Sequence, residues 1–281
     1  MVIHCFIHIF FELLKYTREQ ISDARIGILG NPELLTEEVI ERLKNYNLYS
    51  YQVSLDGLEK THDYLRYPGS FRITLEKIRL LNKYGIESVV MTTVSKVNLE
   101  ELPSLVDVIV ENEVKFYGFK RFVPIGEGEK IKEMALISPS EFRKLLEEMY
   151  RKYEENKDFV ARFGEGEPLW KLFQYEEGLF VPPEDKNLVW GGCGIGVASL
   201  TVLEDGTALA CRRLPIPVGK LPEQSIKDIF IFSEELNRMR EYQKIEKCRN
   251  CVLFPYCRGC RAVAYAISGD YFKKDPQCWR K

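Results

Sequence analysis

The sequence predicts an α/β protein, with a parallel β-sheet in its first half and a small, irregular, cysteine-rich domain at its end. Two observations lead to this prediction. Strand-like and helix-like segments alternate through the first 125 residues, with one strand in roughly every 30 residues. Seven of the eight cysteines fall between Cys193 and Cys278. Strands separated by single helices form right-handed β-α-β units, which makes the sheet parallel.

The alternating half divides into elements by its apolar periodicity and its stop signals. Thr36 before Glu37 and Glu38 is typical of a helix start, and Gly85 stands where a left-handed helix cap is usual. Strands are predicted at residues 25–29, 49–55, 86–94 and 114–123, and helices at residues 10–20, 36–43, 70–84 and 102–112.

Functional groups in a parallel sheet gather at the carboxyl ends of its strands. The predicted strand ends are residues 30–31, 54–57, 92–95 and 124–128. We therefore expect a ligand site at this edge of the sheet.

The pattern changes after residue 135. Ser138-Pro139-Ser140-Glu141 is a capping signal for a helix that runs to about residue 157. A stretch rich in Gly, Pro and aromatic residues then connects to the last ninety residues, where Glu204-Asp205-Gly206 indicates a hairpin. We predict three parts: residues 1–135, a helical connector at 136–190, and the cysteine-rich domain at 191–281.

The composition excludes several classes of protein. Hydrophobic residues make up 45% and charged residues 29%, which argues against a disordered chain and a polytopic membrane protein. Forty basic and forty-two acidic side chains leave a net charge of −2, so we expect no nucleic-acid partner. The apolar run at residues 2–11 has neither a basic residue before it nor a small-residue cleavage site after it, and it is too short to span a bilayer. We expect a cytoplasmic chain with reduced cysteines and no membrane partner.

The cysteine spacing leaves three interpretations open. Structural zinc needs four thiolates, which Cys248, Cys251, Cys257 and Cys260 would supply, but three cysteines then have no role. A disulfide-linked module needs an oxidising compartment. Iron–sulfur clusters, usually held by four thiolates each, account for all seven cysteines of the last third. The cations near them that would offset cluster charge are Lys220, Arg249, Arg258 and Arg261.

The cysteine string, with Gly219-Lys220-Leu221 between its halves and Asp275-Pro276-Gln277-Cys278 at its end, resembles the SPASM domain of radical S-adenosylmethionine (radical SAM) enzymes. The resemblance implies two auxiliary [4Fe-4S] clusters. It assigns the outer cluster to Cys248, Cys251, Cys257 and Cys278, and the inner cluster to Cys193, Cys211 and Cys260, with a fourth position that is open or filled from elsewhere. Two residues, rather than the usual three, separate Cys257 from Cys260.

The first half is similar to the same superfamily. Residues 51–57, with His62-Asp63 and Arg66 after them, look like its fourth strand and following helix. The resemblance implies that Ser54 and Arg66 contact the methionine carboxylate of SAM. Without it, Ser54-Leu55-Asp56-Gly57 fits a common strand-to-loop turn and Arg66 a solvated helix residue.

The sequence lacks the Cys-x3-Cys-x2-Cys triplet that holds the SAM-cleaving cluster in this superfamily. Four of the superfamily's six strands are recognisable, which implies a partial (β/α) barrel. Cys5 stands alone, and with His4 and His8 it is more typical of an apolar core than of a metal site. Two explanations stay open: the chain is an incomplete version of a longer enzyme, or a degenerate relative that kept only the auxiliary clusters.

The resemblance implies work in anaerobic cofactor or peptide maturation, including enzymes that act beside tungsten cofactors. We expect a peptide or cofactor-precursor substrate, a redox donor such as ferredoxin or flavodoxin, and SAM as cofactor if the full barrel is present. Asp205 and Glu127 are candidate acid–base groups by position alone. The alternatives are an iron–sulfur electron-transfer protein without SAM cleavage and a zinc-stabilised interaction module.

Overall fold

The computed structural model describes residues 2–164, 166–183 and 189–280, and side chains from residue 9 onward. The chain divides into two compact units. Met1–Thr93, Glu100–Gly118 and Arg151–Phe163 form the first unit. Val94–Leu99, Phe119–Tyr150 and Gly164–Lys281 form the second unit.

The parallel sheet predicted from the sequence is present. Its strands are β1 (Gly27–Leu29), β2 (Ser50–Ser54), β3 (Ser88–Val94), β4 (Phe116–Arg121) and β5 (Arg162–Phe163), in the spatial order β1-β2-β3-β4-β5. The β1/β2, β2/β3 and β4/β5 pairs are parallel. Each of the four predicted strands is present in a shortened form, whereas β5 was not predicted. The α/β fold class is therefore confirmed.

Helices flank these strands and fill the rest of the chain. The α-helices of the described residues are α1 (Val2–Gln20), α2 (Glu37–Lys44), α3 (Glu59–Leu65), α4 (Ser70–Lys83), α5 (Leu102–Glu111), α6 (Lys132–Ala135), α7 (Pro139–Asn156), α8 (Pro168–Glu176), α9 (Ile226–Phe232), α10 (Glu234–Met239) and α11 (Arg261–Ser268). Within these ranges, every helix falls short of the length and apolar character needed to cross a bilayer.

The predicted capping signals operate in the structure. The Val39 amide donates to the Thr36 hydroxyl at 3.2 Å and so starts α2. At the start of α7, the Glu141 amide donates to Ser138 Oγ at 3.2 Å and the Ser138 amide donates to Glu141 Oε2 at 2.7 Å, which is a complete capping box. Gly85 follows α4 with a φ of 73°, in the left-handed region that favours glycine.

The apolar faces of the helices form the core of the first unit. Ile40 of α2, Ile78 of α4 and Leu105 of α5 are fully buried, as are Val53 of β2 and Val90 of β3. Buried positions recur at helical spacing within α4 and α5 and alternate along β3, so the same pattern that predicts the elements also builds their core.

The second unit carries its own small sheet. Strands β6 (Thr201–Val202), β7 (Thr207–Cys211) and β8 (Leu214–Lys220) are antiparallel, and the turn from β6 to β7 lies at the predicted hairpin. Ala208, Ala210 and Leu214 of this sheet pack with Val263 of α11 in a hydrophobic core that also includes Cys260. The cysteine-rich region is therefore a folded unit with a core, despite its lack of sequence periodicity.

Leu105→Ala is expected to destabilise the protein by about 2–5 kcal/mol, because it opens a cavity beneath a fully buried helix face. Ser104→Ala, one position earlier on the exposed side of α5, is the control and is expected to change stability by less than about 0.5 kcal/mol. Urea unfolding followed by circular dichroism measures both variants. Equal midpoints for the two would contradict the packing described for α5.

Candidate functional site

Four of the seven cysteines line one cavity in the second unit. Cys248, Cys251, Cys257 and Cys278 border a space of about 250 Å³. A tight turn brings the first two together, since the Cys251 amide donates to the Cys248 carbonyl at 2.9 Å. The last one arrives through a separate turn, in which the Cys278 amide donates to the Asp275 carbonyl at 3.1 Å. These are the four cysteines that the resemblance assigns to one cluster.

The other three cysteines lie in or against the hydrophobic core of the same unit. Cys260 belongs to the hydrophobic core of the second unit, and Cys193 and Cys211 pack against that core. Cys211 ends β7 and Cys260 immediately precedes α11, so regular elements fix both. Four cysteines thus border one cavity and three lie in or against the core of the same unit, while the assignment of these cysteines to two clusters stays a prediction.

The arrangement of the thiols bears on the kind of metal centre. All seven described cysteines are free thiols. In the described part of the chain, no three His, Cys, Asp or Glu side chains lie close enough together to hold a single metal ion. A tetrahedral zinc site needs sulfurs about 3.8 Å apart. A four-iron cluster is larger, and its thiolates stand farther apart around the iron–sulfur core.

Burial keeps four of these thiols protonated in the absence of metal. It raises the pKa of Cys248 to about 12 and that of Cys260 to about 11. The pKa values of Cys257 and Cys278 are raised by burial as well. Because iron binds thiolates, cluster insertion must release these protons, and metal binding should be coupled to pH.

Two buried arginines provide unused hydrogen-bond donors near Cys193. Arg258 Nε and Arg261 Nη2 are buried and have no partner among the described residues. Burial lowers the pKa of both arginines, and the Cys193 thiol is the strongest of the groups that raise it. A sulfide-bearing cluster would supply acceptors for such donors, whereas the described part of the chain supplies none. The donor set therefore fits an iron–sulfur group.

Arg258 also ties the two cysteine groups together. Its Nη2 donates to the carbonyls of Gly191 and Cys193, at 2.6 Å and 3.1 Å, while its Nη1 donates to the carbonyls of Phe254 and Pro255 at 3.0 Å. A Cβ on Gly192, which has a φ of +77°, would lie 2.6 Å from the Cys257 carbonyl oxygen. Only glycine permits this approach of the two loops.

A buried ion network contacts the loops that carry Cys260 and Cys278. The guanidinium group of Arg121 pairs with both oxygens of Asp275 at 2.8 Å and with Glu167 at 2.8 Å, and it also donates to Gln277 at 3.0 Å. Asp275 Oδ2 accepts the Cys260 amide at 2.7 Å as well. One carboxylate thus holds Cys260 from one cysteine group and the turn that carries Cys278 from the other.

Lys220, another of the predicted cations, and the two candidate acid–base groups form contacts away from the cysteines. Lys220 donates to Asp205 at 2.9 Å, and Asp205 also accepts the Thr207 amide, so both residues serve the hairpin. Glu127 is exposed and pairs with Lys130. We therefore assign structural contacts to Asp205 and Glu127, the two candidate acid–base groups. The side chains of Cys5, His4 and His8 lie outside the described residues.

Ser54 and Arg66 line a second cavity, which belongs to the first unit. Its volume is about 470 Å³, and its lining includes Gly30, Asn31, Ser54, His62, Arg66 and Ser70. Gly30-Asn31 and Ser54 follow or end two adjacent parallel strands, so this cavity lies at the edge of the sheet where a ligand site is expected.

Asp56 fixes the orientation of Arg66 at this cavity. Its Oδ2 accepts bonds from Arg66 Nε at 2.9 Å and from Nη2 at 2.5 Å, while its Oδ1 accepts the Thr93 amide at 2.8 Å. The Asp56 amide donates to Nδ1 of buried His62 at 3.0 Å. Burial lowers the pKa of His62, so the ring is neutral with its proton on Nε2. Asp56 belongs to the Ser54-Leu55-Asp56-Gly57 motif, but the motif alone does not predict this role.

Comparison with protein families matches the chain in two regions. Residues 6–109 match the radical SAM superfamily, and residues 193–252 match the iron–sulfur cluster-binding SPASM domain. The second region includes Cys193, Cys211, Cys248 and Cys251.

Relatives and solved structures agree with these matches. An AdoMet-dependent heme synthase of Methanosarcina barkeri is 30% identical over 276 residues, covering 95% of this chain and 77% of the relative. An Fe-coproporphyrin III synthase of the same organism is 26% identical, covering 95% of this chain and 71% of the relative. The structure of Streptococcus suis SuiB bound to S-adenosylmethionine is similar with a TM-score of 0.73 at 19% identity, covering 96% of this chain and 63% of SuiB. The chain thus spans less than two thirds of SuiB.

Asp275→Asn is expected to cost about 3 kcal/mol or more, because it removes a buried carboxylate from a guanidinium that cannot lose its charge. Although burial opposes it, Arg121 holds the pKa of Asp275 below the ordinary value of 3.8. The stabilisation is therefore present above about pH 4 and is lost as the pH falls through the folded pKa. Urea unfolding at pH 7 under anaerobic conditions measures the loss.

The matched control is Glu241→Gln, which removes a partly exposed carboxylate paired with Lys244 in the same unit. It is expected to cost no more than about 1 kcal/mol. A midpoint for Asp275→Asn equal to that of the control would mean that the buried network does not stabilise the second unit.

Proposed function

Because the chain belongs to the radical SAM superfamily and carries its SPASM iron–sulfur domain, we propose that it holds two [4Fe-4S] clusters and acts in radical maturation of a cofactor precursor. The observation that carries the proposal is the grouping of the seven thiols, four around one cavity and three in the adjoining core. Zinc would use four of these thiols and leave three without a role.

Cys248, Cys251, Cys257 and Cys278 would hold the outer cluster, and Cys193, Cys211 and Cys260 the inner one. Bound there, such clusters supply one-electron transfer. The inner cluster would lie beside an apolar core and the buried arginines Arg258 and Arg261, and both features would tune its potential. The fourth position of the inner cluster remains free for substrate or for another donor.

Ser54 and Arg66 would bind the methionine carboxylate of SAM in the cavity of the first unit. Arg66 is suited to this because Asp56 engages its Nε and Nη2, which orients the guanidinium plane toward a planar carboxylate. Reductive cleavage of SAM supplies the radical in this superfamily. That chemistry needs the Cys-x3-Cys-x2-Cys triplet, which these 281 residues do not include. The alternative function, for a chain that lacks the triplet, is iron–sulfur electron transfer without SAM cleavage.

The choice of substrate class rests on the relatives. A heme synthase and an Fe-coproporphyrin III synthase both align with 95% of this chain, which supports a porphyrin as the cofactor precursor. A peptide substrate is the second candidate, because the fold resembles that of SuiB, whose structure has also been solved with its precursor peptide SuiA. A redox donor such as ferredoxin or flavodoxin would feed electrons to the clusters.

Cys257→Ser is expected to reduce the iron content by about half, because it removes one of four thiolates from one of two clusters. The measurement is iron and zinc analysis with absorption spectroscopy on anaerobically purified protein. Cys5→Ser is the control and is expected to keep the full iron content. Full iron in both variants, or zinc in place of iron in the parent protein, would overturn the cluster proposal.

Arg66→Gln is expected to weaken SAM binding at least tenfold, since a charge-assisted hydrogen bond to the methionine carboxylate is lost. Asp56→Asn is expected to have a smaller effect in the same direction because it only releases Arg66. Isothermal titration with SAM measures both. The control is Arg72→Gln, an exposed arginine of α4 that pairs with Glu59. If all three variants bind SAM equally well, Arg66 does not contact the ligand.

A further inference from the structure

Three cations adjoin the cysteine group formed by Cys193, Cys211 and Cys260. Arg212 and Arg213 are the two turn residues between β7 and β8, because Cys211 pairs with Leu214. Arg213 Nη1 donates to the Arg121 carbonyl at 3.3 Å, and its Nη2 lies 3.9 Å from Cys260 Sγ. Lys120 of β4 is the third cation. Burial lowers the pKa of Lys120, and the charges of Arg213 and Arg212 lower it further while Cys211 and Cys260 raise it, so its ammonium group lies near these four residues.

No carboxylate of the described residues pairs with these cations. In the described ranges, neither Lys120 nor Arg212 nor Arg213 forms an ion pair with a carboxylate, in contrast to neighbouring Arg121, which has two. Lys120 is only half-buried and Arg212 is exposed, so solvent and ligands reach this group. Like charges that share one site repel one another, and an anion bound between them removes that cost.

Cluster charge alone does not explain the group. Arg258 and Arg261 already place buried positive charge beside Cys193. Arg212 is exposed and Lys120 is partly exposed, so a molecule from solution can contact these two cations, unlike Arg258 and Arg261.

We propose that Lys120, Arg212 and Arg213 form a subsite that binds carboxylate groups of the substrate beside the three-cysteine group. Arginine binds a carboxylate through two parallel hydrogen bonds, and lysine adds a point charge. A porphyrin with several carboxylate side chains matches a site with several cations. The inference rests on the proposed function, because it assumes a porphyrin precursor as substrate.

The probes are coproporphyrin III, which carries four carboxylates, and its tetramethyl ester, which carries none. Binding is followed by porphyrin fluorescence on the full chain purified anaerobically, with iron content recorded for each sample. Lys120→Gln and Arg212→Gln are each expected to weaken coproporphyrin binding about tenfold, equivalent to about 1.4 kcal/mol. The affinity for the ester should not change between the variants, and binding of the acid should weaken with added salt.

Lys227→Gln, which removes an exposed lysine of α9, is the control and is expected to bind like the parent protein. If the parent binds coproporphyrin and both subsite variants bind it equally well, the subsite is wrong while the proposed function stands. Another outcome is that a variant loses iron while the protein that keeps its iron binds coproporphyrin as tightly as the parent. In that case the cations stabilise the cluster, and the subsite is again wrong.

If the parent protein binds neither porphyrin, the subsite and the porphyrin substrate both fail. A tetraglutamate peptide tests whether a peptide, rather than a porphyrin, supplies the carboxylates that the subsite binds. If that peptide binds through Lys120 and Arg212 while coproporphyrin does not, a porphyrin substrate is excluded.

Discussion

Burial of the Arg121 guanidinium group is the constraint on which the second unit depends. Arginine stays charged at any pH that a folded protein meets, so a fully buried arginine needs carboxylates around it. Glu167 and Asp275 meet this need, and Asp275 in turn accepts the amide of Cys260. A Cβ on Gly259, which has a φ of +64°, would lie 2.5 Å from the Cβ of Asp275, so position 259 must be glycine. The ion network therefore sets where two cysteine loops meet.

Much of the fold was predictable because its signals are local. The caps at Thr36, Ser138 and Gly85 and the apolar stripes of the first half each extend over only a few residues. The structure also shows why other elements were missed. Strand β5 has two residues, which is too short for any alternation. Helix α8 begins with Pro168 after Glu167, which is a helix start signal. The helix was missed because the surrounding stretch is rich in glycine, proline and aromatic residues, which is typical of a loop.

The candidate site was likewise predictable from the sequence only where its signals are local. Cysteine spacing is local, and the family resemblance that it carries implies the groups of four and three thiols, which stay a prediction. The pairing of Arg121 with Asp275 joins positions 154 residues apart, so no local pattern contains it. Arg258 and Arg261 were expected only as charges that offset a cluster. In the structure they also bind backbone carbonyls and brace the loops, which depends on the geometry of a left-handed residue at position 258.

The central claim is that sulfur atoms of the second unit bind inorganic iron at two places. Anomalous X-ray diffraction at the iron absorption edge, on crystals grown without oxygen, tests it most directly. The account predicts two separate peaks, one in the cavity bordered by Cys248, Cys251, Cys257 and Cys278 and the other beside Cys193, Cys211 and Cys260. A map without iron at either position, or with peaks only at the zinc edge, would contradict it.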